Sequence, residues 1–137
     1  MAGKRKPWDI GPSKTSAASI PDALKKEVES KASDLIANIL KPKHIRPPQE
    51  DEQFNYITDI ATKWYRHYLY FFSIYACPAP NALSPTFEEK FARMEYIGDS
   101  KFALYFMRHN GEWVGLHDAL SVDECMKAIQ DDPWFVP

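Results

Sequence analysis

The side chains that could do chemistry are few, and their spacing does not favour it. His44, His67, His109 and His117 never fall at a metal-binding interval, and the sequence holds no His-x-x-x-His, Cys-x-x-Cys or His-Glu-x-x-His. The two thiols are Cys77 and Cys125, with His117-Asp118 shortly before the latter. A Cys–His nucleophile would need the fold to bring an imidazole to one of them, and a lone cysteine on a short amphipathic helix is usually core. Paired carboxylates occur at Asp51-Glu52, Glu88-Glu89 and Asp131-Asp132. Neighbours on a strand point to opposite faces, so Glu88 and Glu89 cannot act together. Five glycines form neither a dinucleotide fingerprint nor a phosphate loop. The expectation is no catalytic residue, no metal site, no cofactor, and a protein that is not an enzyme.

Positioning elements can be read from periodicity. Leu24, Val28, Ala32, Leu35, Ile36, Ile39 and Leu40 recur at spacings of three and four, which predicts an amphipathic helix over about 20–40. Ser19 is its expected N-cap, Pro21 fits the first turn, and Pro42 is expected to end it. Residues 41–48 then read as an extended basic linker. From 53 onward the period shortens to two. Residues 53–66 read as strand or helix, whereas the nearly continuous apolar run 67–76 reads as a strand covered on both faces. Three prolines in 77–85 demand a loop. The alternation over 87–97 places Phe87, Phe91 and Ile97 with Glu89, Arg93 and Glu95, and sets Ala92, Met94 and Tyr96 on the other face.

Gly98-Asp99-Ser100 turns the chain into a strand over 101–108. Asn110-Gly111 predicts a two-residue type I′ hairpin, pairing His109 with Glu112, Arg108 with Trp113 and Met107 with Val114. Arg108 then stacks on Trp113. Ser121 and Glu124 form a capping box for a last helix that Asp132-Pro133 stops, and Trp134-Phe135-Val136 should dock back on the core. The fold class is α+β: an N-terminal helix, a four- to five-stranded antiparallel meander and a short C-terminal helix. Residues 1–18, poor in large apolar side chains, read as a disordered basic tail, and 19–137 as a single domain.

At 137 residues, the composition fits one small globular domain, with 45% hydrophobic residues, 8 Phe, 7 Tyr and 4 Trp. Charge is uneven. Residues 1–46 carry ten Lys/Arg against five Asp/Glu, and residues 47–137 carry seven against fourteen. No apolar run approaches the roughly 20 residues of a membrane helix, and no apolar stretch follows the basic start, so a cytoplasmic protein without a membrane partner is expected. The rings outnumber what one covered sheet face needs. Tyr68, Tyr70, Phe72, Tyr105 and Trp113 are therefore the candidate interaction surface, for a second copy or another protein. Lys4, Arg5, Lys6, Lys41, Lys43 and Arg46 are the candidate contacts for nucleic acid, the weaker alternative.

One stretch looks familiar. Phe91-Ala92-Arg93-Met94-Glu95-Tyr96, then Phe102 through Arg108, Trp113, Leu120 through Cys125 and Ile129 through Phe135 succeed one another. This order is similar to the C-terminal half of a family of small, uncharacterised bacterial proteins, in which an LYWMR-like strand leads to a tryptophan, an acidic helix and an aromatic end. The resemblance spans about residues 87–135. It implies a hairpin-then-helix order and a bacterial cytosolic origin, and it carries no functional residue.

Overall fold

The structure, a computed structural model, describes residues 19–47 and 54–137. The expected basic tail, with Lys4, Arg5 and Lys6, lies outside the described residues. Helix α1 (Asp22–Leu35) starts after Pro21, which occupies the N-cap position without a side-chain hydrogen bond, so Ser19 is not the cap. It buries Leu24, Val28, Ala32 and Leu35, the stripe its spacing predicts.

Pro42 does not end the helix. A π-helical segment (Ile36–Leu40) follows α1, and the turn continues as α2 (Lys41–His44), with Pro42 near the start of that last piece. A proline has no N–H to donate, and its ring collides with the carbonyl four residues back. Here Lys41 N–H reaches Ile36 O, five residues back, and this widened turn accommodates the ring. The extended segment therefore begins at Ile45 rather than Lys41.

Five strands follow, each hydrogen-bonded to its sequence neighbours in the order β1-β2-β3-β4-β5: β1 (Tyr56–Tyr65), β2 (Tyr68–Ala76), β3 (Thr86–Gly98), β4 (Lys101–Met107) and β5 (Trp113–Leu120). All pairings are antiparallel. Residues 56–65 are strand, which resolves the alternative left open by the sequence. Arg66 and His67 form the β1–β2 turn, with Arg66 at a φ of 56°. Helix α3 (Val122–Asp131) closes the chain and carries the expected capping box, with Ser121 Oγ accepting from Glu124 N and Glu124 Oε1 from Ser121 N.

The hairpin at Asn110-Gly111 differs from expectation. Gly111 N–H donates to Arg108 O, Arg108 N–H donates to Glu112 O, and only Gly111 (φ 85°) has a positive φ in this turn. This is a three-residue loop with glycine in the left-handed position, not a two-residue type I′ turn. The register shifts by one: Met107 faces Trp113 and Phe106 faces Val114. Such a slip moves side chains across the sheet. It turns Val114 toward the core and Trp113 away from Arg108, whose partner is instead Glu112 at 3.8 Å. The sequential positive φ values that a type I′ turn needs occur at Asp99 (52°) and Ser100 (58°), between β3 and β4.

A second difference lies in β3. The β2–β3 register shifts between Phe71/Ala92 and Phe72/Lys90. The extra residue, Phe91, turns inward beside Ala92 and meets the Phe71 ring at 6.1 Å, instead of facing out with Arg93. The helices cover one face of the sheet, burying Leu69, Phe71, Ala92, Met94, Phe102 and Leu104 completely. Across this layer Trp64 Nε1 donates to Glu29 Oε2 at 2.6 Å, and Lys31 links α1 to Asp123 of α3 at 2.6 Å. Phe135 is buried and Trp134 stacks on Phe106 at 5.0 Å, so Phe135 returns to the core as expected while Trp134 and Val136 stay exposed.

Candidate functional site

The face of the sheet away from the helices is built by alternation. Leu69, Phe71, Met94 and Leu104 point to the core, so Tyr68, Tyr70, Arg93, Glu95 and Tyr105 point the other way. The three-residue loop adds Trp113 to them, 5.8 Å from the Tyr70 ring. His67, from the β1–β2 turn, lies against Tyr68 at 4.2 Å, and Tyr68 lies 6.1 Å from Tyr70.

Arg93 is the centre. Its guanidinium lies 4.1 Å from the Tyr105 ring, 4.9 Å from Tyr68 and 5.0 Å from Trp113. The negative ring faces stabilise a cation that has lost part of its hydration. Its Nε is buried and makes no hydrogen bond. Two more cations repeat the motif on the same face, Lys90 over Tyr70 at 5.6 Å and Lys63 over Phe72 at 4.7 Å. Lys63 also pairs with Glu88 at 2.7 Å.

Glu95 supplies the anion. Its Oε1 accepts from Tyr105 Oη at 2.8 Å, and its Oε2 lies 3.5 Å from His67 Nε2, a buried atom without a hydrogen-bond partner. Burial, reinforced by the Glu95 carboxylate, pushes the Tyr105 hydroxyl up to about 12, so it stays a donor at neutral pH. The same two causes raise Tyr68. The cluster is thus a connected lattice of rings and charges on the open face of the sheet.

Of the five residues expected to form an interaction surface, the fold brings together Tyr68, Tyr70, Tyr105 and Trp113. Phe72 lies beneath Lys63, only 6% exposed. Arg93, Glu95 and His67 escaped the sequence reading. The signal for Arg93 and Glu95 was present, since both alternate with the buried Ala92, Met94 and Tyr96. Among the nucleic-acid candidates, Lys41 is ion-paired with Asp59 at 2.8 Å and holds that carboxyl below its usual range. Lys43 and Arg46 are exposed at the end of the helix, with the helical layer rather than on the ring-bearing face.

The remaining reactive groups stay apart. Burial, with Glu124 adding to it, pushes the Cys125 thiol up to about 12. His117 lines a cavity of about 400 Å³ beside α3, with Glu124, Lys127 and Asp131, and Cys125 is not in its wall. Cys77 is half-buried at the end of β2, and both cysteines are free. Among the described residues, no group of three or more His, Cys, Asp or Glu side chains converges as a metal site. No helix of the described residues is long and apolar enough to cross a membrane.

Comparison with curated proteins and with solved structures finds no match in either set. The family model described as "Domain of unknown function (DUF3024)" does match, over residues 20–137. That span takes in α1, the whole sheet and α3, well beyond the 87–135 stretch whose order looked familiar. The chain therefore belongs to the DUF3024 family, a domain of unknown function.

Proposed function

We propose that this protein is a non-enzymatic interaction module of the cytoplasm that self-associates through the ring-bearing face of its sheet. The observation that supports this reading is the half-exposed group Tyr68, Tyr70, Tyr105 and Trp113, on a face that the helices leave open. Tyrosine, tryptophan and arginine are the side chains enriched at interface centres, because they bury large areas at little entropic cost. Charges of both signs stand on this face, Lys63, Lys90 and Arg93 beside Glu88 and Glu95. A two-fold packing can therefore set cation against anion.

Area limits the strength of such a dimer. Five strands ~4.8 Å apart, of 7 to 13 residues each rising ~3.3 Å, present roughly 700 Å² in projection. A standard interface removes about 800 Å² from each partner, so nearly the whole face must be covered to reach that size, and partial overlap gives a weak, concentration-dependent association. Sedimentation velocity tests it. The sedimentation coefficient should rise between micromolar and millimolar protein, and Tyr70→Glu should abolish the rise while leaving the far-UV spectrum intact. A concentration-independent monomer overturns the reading.

Nucleic-acid binding is the second reading, supported by cations interleaved with rings. The ring faces, however, already hold the protein's own Arg93, Lys90 and Lys63. The exposed cations Lys43 and Arg46 belong to the helical layer. Self-association is the better supported of the two.

A further inference from the structure

β3 is longer than the strand beside it. On one side it pairs with β2 from Thr86 to Glu95. On the other it pairs with β4 only from Ala92 to Gly98. Among the described residues, 86–91 therefore have a strand neighbour on one edge alone, and no further backbone hydrogen bond fills the other. An unpaired strand edge presents N–H and C=O groups at the spacing an extended chain requires.

A cavity of about 490 Å³ lies along this edge. Its walls are Glu89, Lys90 and Phe91 on one side and Met107, Arg108 and His109 on the other, closed by Trp134, Val136 and Pro137. Glu89 and Phe91 share one face of the sheet, while Lys90 lies on the opposite face, over Tyr70. Tyr75 of β2 also lines it and donates to Pro137 O, so the cavity runs from the helix-side face of the sheet out to the unpaired edge of β3. The space is a slot between β3 and the tip of the β4–β5 hairpin, where a sixth strand segment would fit.

We infer that this slot binds an extended peptide segment of a partner protein by strand addition to the 86–91 edge. The side chains around it define the peptide. On the helix side exposed Trp134 (56%) and exposed Val136 (68%) offer apolar contact beside the buried Phe91. Around the slot stand Lys90, Arg108 and His109 with one carboxylate, Glu89, in the wall, and Arg108 is also paired with Glu112 at 3.8 Å just outside it. Successive residues of a strand point to alternate faces, so the matching segment alternates apolar and acidic side chains. Main-chain hydrogen bonds hold it, and the alternation sets its register. The volume falls within the usual range for ligand sites and suits a few residues, not a folded domain.

The probe is a blocked hexapeptide alternating valine and glutamate, titrated into the full chain and followed by amide chemical shifts and hydrogen exchange. The expected result is saturable binding, with slowed exchange confined to residues 86–91 and fluorescence of Trp134 changing in parallel. N-methylation of alternate peptide nitrogens, which removes donors without changing the side chains, should weaken binding by at least tenfold on one of the two alternate sets. Lys90→Glu with Arg108→Glu should weaken it similarly and should favour a valine–lysine peptide instead. Equal binding of both N-methylated sets, protection elsewhere on the sheet, or no saturation at millimolar peptide overturns the inference. Protection of 86–91 that rises with protein concentration and no peptide also overturns it, by assigning the edge to a second copy.

Discussion

On the helix side of the sheet, Leu69, Phe71, Met94, Phe102 and Leu104 are wholly buried and carry no charge. One residue further along the same strands, Tyr68, Tyr70, Arg93, Glu95 and Tyr105 form a half-exposed layer in which a cation lies between rings and a carboxylate accepts from a tyrosine. The first face excludes water with two helices. The second limits water with its own long side chains. The difference explains the surplus of aromatic residues, because a face without a helix above it needs side chains that cover area and tolerate contact with solvent.

Three substitutions probe this contrast. Phe102→Ala removes a ring from the dry face, where nothing can fill the space, and should cost about 3–5 kcal/mol in urea unfolding. A loss similar to that of a surface residue would break the distinction between the faces. Arg93→Met keeps much of the side-chain volume but removes the charge from among three rings, and should cost about 2 kcal/mol with a shift in Trp113 emission. If the substitution is neutral, the lattice is packing alone. Ser73 is the polar exception on the dry face, fully buried with its Oγ unpartnered. Ser73→Ala should therefore stabilise the protein, by about 1 kcal/mol or less, since it removes an unsatisfied hydroxyl. Destabilisation there would reveal a hydrogen-bond partner for that hydroxyl.

Much of the fold was legible because it depends on local periodicity. The stripe from Leu24 to Leu40, the alternation of Ala92, Met94 and Tyr96, and the Ser121/Glu124 capping box are each set by neighbours in sequence. What escaped depends on a single residue of phase. Asn-Gly serves a two-residue turn and a three-residue turn equally well, and the choice is made where Val114 packs on the core and Trp113 meets Arg93, through partners distant in sequence. Phe91 reads as sharing a face with Arg93 because a bulge against Phe71 and Phe72 leaves no mark in the β3 sequence. Pro42 reads as a stop because the widened turn that accommodates it has no sequence signature. The candidate site was half legible for the same reason. The tyrosines were visible by type, whereas Arg93 became their centre only once three strands were in register.

The Lys31–Asp123 contact between α1 and α3 has a consequence for the order of assembly. Each strand pairs with its neighbour in sequence, so the sheet can zip from hairpin to hairpin as the chain emerges from the ribosome. The lid over the dry face cannot close that way. α1 precedes the sheet in the chain, yet one of its neighbours is α3, which follows the sheet, so the layer to which its buried stripe belongs is incomplete until α3 is made. The nascent chain therefore carries an adhesive apolar stripe while the sheet is being made, and the interval before α3 arrives is when it most needs shielding.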